Sequence, residues 1–393
     1  MSAGAIQRIR VLRVPSPLLR PFVTAVRRAT HLDVVLVEVT DAEGRRGYGE
    51  AATSWRVTGE SPESVAAAVA GPLAEIVLGH PATDTDLAAR IAPSVWGNAA
   101  ARSAVECAAA DLAAQQRGLP LAATLVVSDV ATDVASVSGR LASTPSRIRT
   151  DMTLSVAEPA ELAKRATEYV ARGFGCLKLK AAATHDTIAG LRALRAAVGP
   201  EIVLRVDANQ AWTAAEAIGV IRAAEDAGLG LEFVEQPVAA HDLAALAAVT
   251  AAVDTPIMAD ESVRTARDVR RIAERGAATL VNIKLAKTGG LAEALATADA
   301  ARTAGLGIVI GCMMESHVGV SAAAHLAAAI APETVHDLDA ASWLRSSPVT
   351  GGMSLMGDAL ALNAGHGIGV TGISADAEAD LLLDVSFRVG VPA

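Results

Sequence analysis

Apolar and polar positions follow one pattern in the first third of the chain and another in the rest. Near the N-terminus, the β-branched run DVVLVEVT at 33–40 predicts a strand, and the turn residues at 41–44 precede a second strand. Ser61 and Pro62 then provide the residue types that begin a helix, an N-cap hydroxyl followed by a proline. Residues 1–125 are therefore predicted to form an α+β domain.

Beyond this domain, a Ser/Thr-rich stretch at 129–147 without periodicity is interpreted as a linker. Apolar strand-like runs then alternate with segments of helical period, such as 213–227 and 291–304. The predicted strands end near Ser155, Lys180, Asp207, Glu235, Asp260, Lys284, Gly311 and Asp337. No eighth helix is evident, so residues 126–350 are predicted to form a (β/α)7β TIM-type barrel. Residues 351–393 are Gly-rich at first and are expected to return to the N-terminal domain, which they complete.

Composition narrows the functional classes. Hydrophobic residues make up 52% of the 393 positions but aromatic residues only 3%, so the core must consist of Ala, Val, Leu and Ile. A net charge of -9 argues against a nucleic-acid partner, because no basic stripe is present to neutralise phosphates. Cys107, Cys176 and Cys312 lie far apart, which argues against a zinc site or disulfides and favours a reducing cytoplasm. Neither a membrane-length apolar run nor a signal peptide is evident, and homo-oligomerisation stays open.

The ionisable residues at the strand ends suggest a metal site. In a TIM-type barrel the active site lies at the C-terminal ends of the strands. Strands three, four and five end in Asp207, Glu235 and Asp260, whose carboxylates should converge on one point. Because three unneutralised carboxylates would repel one another, a divalent cation is expected there. All-oxygen ligands favour Mg²⁺, with Mn²⁺ as an alternative.

Lysines near this site suggest a reaction. Lys180 and Lys284 would lie on roughly opposite sides of the cation, so that one removes a proton from carbon and the other returns it on the opposite face. A metal-bound carboxylate acidifies the adjacent Cα–H by stabilising the enediolate that forms. Lys178 should point to the same side as Lys180 and, with the cation, lower the pKa of Lys180. Structural ion pairs could produce any one of these residues, but not six in this order.

Five sequence strings resemble those of the enolase superfamily, specifically its muconate-lactonizing-enzyme subgroup. They are KLK (178–180), DANQAW (207–212), EQP (235–237), ADES (259–262) and NIKLAKTGG (282–290). The resemblance extends over essentially the whole chain, and it implies that the N-terminal domain caps the barrel. A lysine base combined with a Mg²⁺-stabilised enediolate is the established pattern of that superfamily.

The resemblance also implies a role for each matching residue. Asp207, Glu235 and Asp260 match the metal ligands, and Lys180 and Lys284 match the acid/base catalysts, with Lys178 tuning the first. Asn209 and Glu261 match the residues that surround the ligands in the DxN and DE strings. Lys287 is interpreted as a loop or cap residue.

Two further strings resemble the dipeptide epimerases within the subgroup. The eighth strand ends in a DxD, Asp337 and Asp339, which in those enzymes holds the α-ammonium group of the substrate; GCMMES (311–316) is similar as well. The segment at 21–28 resembles a loop of L-Ala-D/L-Glu epimerases, in which an arginine at the position of Arg27 meets the glutamate side chain. Arg28 and Arg56 are alternatives for this contact.

Taken together, these residues predict a Mg²⁺-dependent epimerase that inverts the Cα of the C-terminal residue of a small dipeptide, with L-Ala-D/L-Glu as the expected type. An N-acylamino-acid racemase, an o-succinylbenzoate synthase or a muconate cycloisomerase of the same subgroup is the alternative. A pyridoxal-phosphate racemase would have no need of three carboxylates. A binding protein derived from such a barrel would be expected to have lost a ligand or base.

Overall fold

The computed structural model describes residues 4–24, 28–125, 145–182, 185–363 and 365–387. Most of the predicted linker at 129–147, and Arg27, lie outside the described residues. The strands are Ile6–Val23 (β1), Arg28–Asp41 (β2), Arg46–Ala51 (β3), Arg147–Thr150 (β4), Met152–Leu154 (β5), Cys176–Lys180 (β6), Val203–Asp207 (β7), Leu231–Glu235 (β8), Ile257–Ala259 (β9), Leu280–Lys284 (β10), Gly307–Gly311 (β11), Val335–His336 (β12), Val349–Gly351 (β13), Ser354–Met356 (β14), Ala359–Ala361 (β15), Val370–Ile373 (β16) and Asp380–Ser386 (β17).

From Pro159 to Ile330 the described helices alternate with strands, except that Leu285–Thr288 is followed directly by Leu291–Thr303. The α-helices are Pro62–Ala68, Ala74–Val77, Leu87–Ile91, Ala99–Arg117, Leu121–Leu125, Pro159–Ala171, Thr187–Val198, Ala214–Asp226, Leu243–Ala252, Ala266–Arg275, Leu285–Thr288, Leu291–Thr303 and His317–Ile330. A π-helical turn covers Val69–Leu73, and a 3-10 turn covers Ala340–Trp343. The 3-10 turn follows β12 where an eighth barrel helix would otherwise stand, so the (β/α)7β prediction is confirmed. None of the helices in the described ranges is long and apolar enough to cross a membrane.

The N-terminal domain is a four-stranded antiparallel sheet in the order β17-β1-β2-β3, packed against the helix Ala99–Arg117. Close approach of that helix explains a glycine in β3: a Cβ added at Gly49 would overlap the carbonyl oxygen of Ala104. The core between sheet and helices consists of small and branched side chains such as Val37 and Val105. β17 pairs antiparallel with β1, so the C-terminal segment completes this domain as predicted.

The barrel consists of parallel strands in the order β11-β10-β9-β8-β7-β6-β5. The short strand β12 closes the ring, because it pairs in parallel with β4 on one side, and Asp337 directly after it is bridged to Gly311 at the end of β11 on the other. The observed strand ends agree with the predicted ones within about two residues, the accuracy with which such ends are defined. Chain order therefore equals spatial order around the ring, and consecutive strand ends are neighbours.

Helix boundaries in the barrel follow local capping chemistry. The Thr213 hydroxyl accepts a hydrogen bond from the Glu216 amide, and the Glu216 carboxylate accepts one from the Thr213 amide, so two amide groups at the start of Ala214–Asp226 are satisfied. Ser61 and Ser64 form the same reciprocal arrangement before Pro62–Ala68. Each of these caps depends only on two residues three positions apart, which is why the start of such a helix can be predicted from the sequence.

Candidate active site

A cavity of about 580 Å³ lies where the C-terminal ends of the barrel strands face the N-terminal domain. The barrel contributes its charged strand-end residues, whereas the N-terminal domain contributes residues from the adjoining ends of β1 and β2 and from the segment after β3. The lining residues that carry charge or a hydrogen-bonding group relevant to the site are Arg28, Arg56, Lys180, Asn209, Asp260, Glu261, Lys284, Asp337 and Asp339. A site of this size, enclosed by two domains and rich in charge, suits a small polar molecule.

Three buried carboxylates form the centre of this site. Asp207 and Glu235 are the last residues of β7 and β8, and Asp260 directly follows β9. These strands are neighbours in the sheet, and Asp207 pairs in register with Glu235. One oxygen of each lies within 4.8 Å of an oxygen of the other two. All three residues are buried. The structure thus brings together the three residues that the sequence suggested as ligands.

The two lysines predicted as acid and base stand at opposite ends of this carboxylate row. Lys180, at the end of β6, places its Nζ 2.5 Å from Oδ2 of Asp207. Lys284, at the end of β10, places its Nζ 2.9 Å from Oδ2 of Asp260. Gly311 on β11 leaves room for the second lysine, because a Cβ there would lie 2.8 Å from the Cε of Lys284. The ring order is therefore lysine, three carboxylates, lysine.

Lys178 lies deeper in the barrel than Lys180 and is fully buried. Its Nζ is 2.5 Å from Oε2 of Glu235, 2.7 Å from Oδ2 of Asp337 and 3.4 Å from Oδ2 of Asp207. Lys178 and Lys180 therefore approach the same oxygen of Asp207, as their two-residue spacing on one strand requires. Lys178 also joins the carboxylate row to the DxD residue Asp337.

The electrostatics of the site reflect burial opposed by ion pairing. Burial lowers the pKa of Lys284, but the Asp260 and Glu235 carboxylates outweigh it and hold that pKa well above its usual value. Lys178 behaves in the same way, with Asp337, Glu235 and Asp207 as partners. Burial raises the pKa of Glu235 to about 7, with the Asp207 charge acting in the same direction. At neutral pH the site consequently holds buried lysine ammonium groups and buried carboxylates, which neutralise one another.

The donor set fits a divalent cation. Three buried carboxylate oxygens, with neither His nor Cys among them, are the ligands that Mg²⁺ and Mn²⁺ prefer. Asn209 donates to Oδ2 of Asp207 at 3.3 Å and to Oε1 of Glu261 at 3.5 Å, beside the row. Within the described ranges, Asn209 Oδ1 and Glu261 Oε2 are buried and accept no hydrogen bond. A buried oxygen without a hydrogen bond destabilises the folded state, and a hydrated cation at this position would provide the missing partner.

The DxD aspartates follow β12 and have surroundings different from those of the carboxylate row. Oδ2 of Asp339 accepts hydrogen bonds from the Thr153 amide at 2.7 Å and from the Trp343 indole at 3.2 Å. Asp337 is paired with Lys178, which contributes to holding its pKa below the usual range although burial acts in the opposite direction. Their oxygens also lie within 4.8 Å of an oxygen of buried Asp151. The site thus has a second group of buried carboxylates, which Lys178 joins to the first.

Arginines near the cavity mouth come from the N-terminal domain. Arg28 and Arg56 both line the cavity, whereas Arg27 lies outside the described residues. Arg264, from the loop after β9, donates to the carbonyl of Val57 at 2.6 Å and so ties the Arg56 loop to the barrel. Positive charge is therefore present opposite the barrel carboxylates.

The interpretation of Lys287 as a loop or cap residue was wrong. Lys287 lies in the short helix Leu285–Thr288, is 2% exposed, and its ammonium donates to Oδ1 of Asp260. Composition could have indicated this, because the chain has five lysines against 29 arginines and four of those lysines lie at this site. The sequence interpretation also missed Asn282, whose amide donates to Oε1 of Glu235 at 2.9 Å.

Arg205 is a further charged residue that the sequence interpretation missed. It is 1% exposed inside the barrel and donates to Asp151 at 2.8 Å and to Glu232 at 2.6 Å. Burial raises the pKa of Asp151 to about 7, with Asp337 adding to the effect. An arginine in the middle of a five-residue strand carries no sequence signal that shows whether it is buried or exposed.

Comparison with known proteins agrees with this architecture. Residues 6–125 match the mandelate racemase / muconate lactonizing enzyme N-terminal domain, and residues 161–376 match the enolase C-terminal domain-like family. The L-Ala-D/L-Glu epimerase of Bacillus subtilis (strain 168) is 38% identical over 370 residues, which is 93% of this chain and 97% of that protein.

Two solved structures are similar over nearly their whole length. A substrate-liganded complex of the Bacillus subtilis L-Ala-D/L-Glu epimerase has a TM-score of 0.87 at 37% identity, covering 94% of this chain and 99% of that one. A dipeptide epimerase from Enterococcus faecalis V583, complexed with Mg and L-Leu-L-Tyr, has a TM-score of 0.85 at 35% identity, covering 93% and 99%.

Proposed function

This chain belongs to the mandelate racemase / muconate lactonizing enzyme family of the enolase superfamily, and from that premise we propose that it is a Mg²⁺-dependent dipeptide epimerase. Its class is that of an isomerase acting on amino-acid derivatives. The observation that carries the proposal is the order lysine, three carboxylates, lysine around one cavity. That order provides proton donors and acceptors on two faces of a bound carbon.

The two lysines exchange a proton at one carbon from opposite sides. The Nζ of Lys180, when neutral, takes the α-proton of the C-terminal residue, and the ammonium of Lys284 gives a proton to the opposite face of the same carbon. The reverse direction exchanges their roles. A divalent cation held by Asp207, Glu235 and Asp260 supplies, when bound, positive charge that stabilises the negative charge developing on the substrate carboxylate. The ammonium of Lys178 neutralises the Glu235 carboxylate and adds positive charge near Lys180.

The remaining charges of the cavity suit the two ends of a dipeptide. Asp337 and Asp339 bind the α-ammonium group, since both line the cavity and form a DxD that resembles that of the dipeptide epimerases. The Enterococcus complex, which contains Mg and a dipeptide, supports a dipeptide as the class of substrate. L-Ala-D/L-Glu is the proposed substrate type, because arginines line the cavity mouth and would pair with a side-chain carboxylate. Arg27 is proposed for that contact on its sequence resemblance, with Arg28 and Arg56 beside it.

Hydrogen exchange at Cα tests the proposal directly. The purified protein is incubated in D₂O with Mg²⁺ and a set of dipeptides, and deuterium at the C-terminal Cα is followed by mass spectrometry. Exchange in L-Ala-L-Glu or L-Ala-D-Glu that EDTA or Lys180→Ala abolishes is the expected result. Exchange only in dipeptides with other C-terminal residues would retain the mechanism and reject the arginine contact. Exchange only in N-acylamino acids would reject the dipeptide assignment.

A further inference from the structure

Lys287 is a buried cation next to the proposed metal site that no step of the proposed reaction uses. Its ammonium donates to Oδ1 and to the main-chain carbonyl of Asp260, and to the carbonyl of Asn282 at 3.1 Å. Lys287 therefore contacts both the side chain and the main chain of Asp260. The cavity lining includes Lys284 but not Lys287, whose side chain is fully covered.

Two lysines thus divide the oxygens of a single aspartate between them. Lys287 occupies Oδ1 from the protein interior, whereas Lys284 occupies Oδ2 from the cavity. Lys284 lines the cavity and also lies 3.8 Å from Oε1 of Glu235, so it can release Oδ2 to a cation that enters from the cavity. Lys287 has neither alternative, because its side chain is fully covered and Asp260 is the carboxylate that it contacts. An ammonium left buried without its carboxylate would be strongly destabilising, so the Lys287 contact should persist.

Amino-acid usage supports a specific need for lysine at this position. The chain has 34 basic residues, of which only Lys164, Lys178, Lys180, Lys284 and Lys287 are lysines. Lys164 is exposed on a helix, and the other four converge on the carboxylates. An ammonium is a compact charge that donates in three directions, whereas a guanidinium is planar and larger. Three acceptors around one Nζ suit the ammonium.

We propose that Lys287 is a positioning residue that holds Oδ1 of Asp260, so that this carboxylate offers a cation only Oδ2 and the arriving cation releases Lys284. This inference rests on the proposed metal site. It explains why a chain with so few lysines has two of them on one aspartate. The Lys287 contact is constant, and the Lys284 contact is exchanged.

Metal affinity, read by the electron paramagnetic resonance of free Mn²⁺, tests this role without any measurement of activity. Wild type, Lys287→Met and the exposed control Lys164→Met are titrated after circular dichroism has shown that each is folded. We expect Lys287→Met to bind Mn²⁺ at least tenfold more weakly and the control to stay within twofold. Removal of a positive charge alone would tighten binding, so unchanged or tighter binding in the folded variant overturns the proposal.

Lysine-specific labelling provides a second measurement on the wild-type protein, should Lys287→Met not fold. With ¹³C at the lysine Cε, the chain gives five signals, which single Lys→Arg variants assign. Addition of Mg²⁺ should move the Lys284 signal more than that of Lys287; the opposite order would overturn the proposal. If wild type binds neither Mn²⁺ nor Mg²⁺, the proposed function itself fails. Normal binding by wild type together with normal binding by Lys287→Met rejects only the role of Lys287.

Discussion

Single oxygen atoms decide how the charges of the site are distributed. Oδ2 of Asp207 is shared by two lysines, whereas the oxygens of Asp260 each have a lysine of their own. Lys178 contacts Glu235 in the carboxylate row and Asp337 in the DxD. A substitution in one of these two acidic groups therefore alters the electrostatic potential at the other. Substitutions at this scale should therefore act on particular substrates or ions rather than on the reaction in general.

Asp339→Asn should separate dipeptides from N-acylated substrates. The amide keeps an oxygen for the Thr153 amide and the Trp343 indole but loses the charge that attracts an ammonium group. A lost charged hydrogen bond corresponds to about 1.5–3 kcal/mol, so kcat/KM for dipeptide epimerisation should fall roughly 10- to 100-fold. Racemisation of an N-acylamino acid, which has no ammonium group, should change much less. Equal losses with both substrates would contradict the assignment of Asp339.

Gly290→Ala should destabilise the protein. Gly290 has φ +139, and a Cβ there would overlap the carboxylate of Glu106. We expect a loss of about 2 kcal/mol or more in the free energy of unfolding, measured by urea denaturation. Gly219→Ala is the matched control: it lies in the helix Ala214–Asp226 with nothing near its Cβ position, and it should gain about 0.5–1 kcal/mol. A similar response of the two variants would contradict this account.

At the scale of elements, buried carboxylates of the N-terminal domain dock onto the starts of barrel helices. Glu106, on the helix Ala99–Arg117, accepts the Ala292 amide at 2.7 Å, at the start of Leu291–Thr303. Glu50, at the end of β3, accepts the amides of Ser316 and Gly319 at 2.9 Å, at the start of His317–Ile330. A helix N-terminus has unpaired amides and partial positive charge, so a carboxylate is its natural partner. These contacts fix the domain that covers the cavity.

Glu106→Gln should change how stability depends on pH. Burial raises the pKa of Glu106 from 4.5 to about 7 in the folded protein, although the helix amides oppose the shift. Between pH 4.5 and pH 7 the folded state therefore binds the Glu106 proton more tightly than the unfolded state does. As the pH rises through this range, ionisation of Glu106 lowers the free energy of unfolding by roughly 3 kcal/mol in all. The glutamine variant lacks this term. Relative to wild type, it should therefore gain stability from pH 4.5 to 7.

Urea denaturation of both proteins at pH 5 and pH 8 measures this difference. The exposed Glu378→Gln variant is the control, and its difference from wild type should be nearly the same at both pH values. A Glu106→Gln difference that is also the same at both pH values would mean that the carboxylate is ionised throughout this range, held so by the helix amides.

At the scale of the whole molecule, the two domains enclose a cavity beside which buried carboxylates are concentrated. The net charge of -9 and the buried carboxylate row both oppose the folded state unless cations compensate them. In the absence of a divalent ion the lysines alone neutralise the row. A cation bound at the proposed site would therefore contribute to the stability of the whole fold as well as to the proposed reaction.

Mg²⁺ should raise the melting temperature of the protein. An ion that binds only the folded state at 100 times its Kd adds about 2.7 kcal/mol, which corresponds to several degrees in Tm. Calorimetry with Mg²⁺ and with KCl of equal ionic strength measures the effect, and EDTA should reverse it. Asp207→Asn, which removes one proposed ligand, should lose most of the increase. An equal increase in KCl would indicate general screening rather than a site.

Several features of the fold and site could be predicted because they depend on local order. Strand ends such as Lys180 and Glu235 are marked by an apolar run that stops at a charge, and the helix at Ala214–Asp226 is marked by its own cap. In a barrel, chain order is spatial order, so residues at successive strand ends meet without further information. The residue types at those ends then indicate a metal and proton transfer.

What the sequence by itself determined, then, is the class of architecture and the set of residues that converge on the cavity. Only the tertiary structure decided which atoms pair: Lys287 on Oδ1 of Asp260, Lys178 between Glu235 and Asp337, and Glu106 on a helix of the other domain. Such contacts depend on how loops and a second domain pack against the barrel. A lysine's sequence neighbours are the same whether it is buried or exposed, so burial and its choice of oxygen arise only when distant parts of the chain come together.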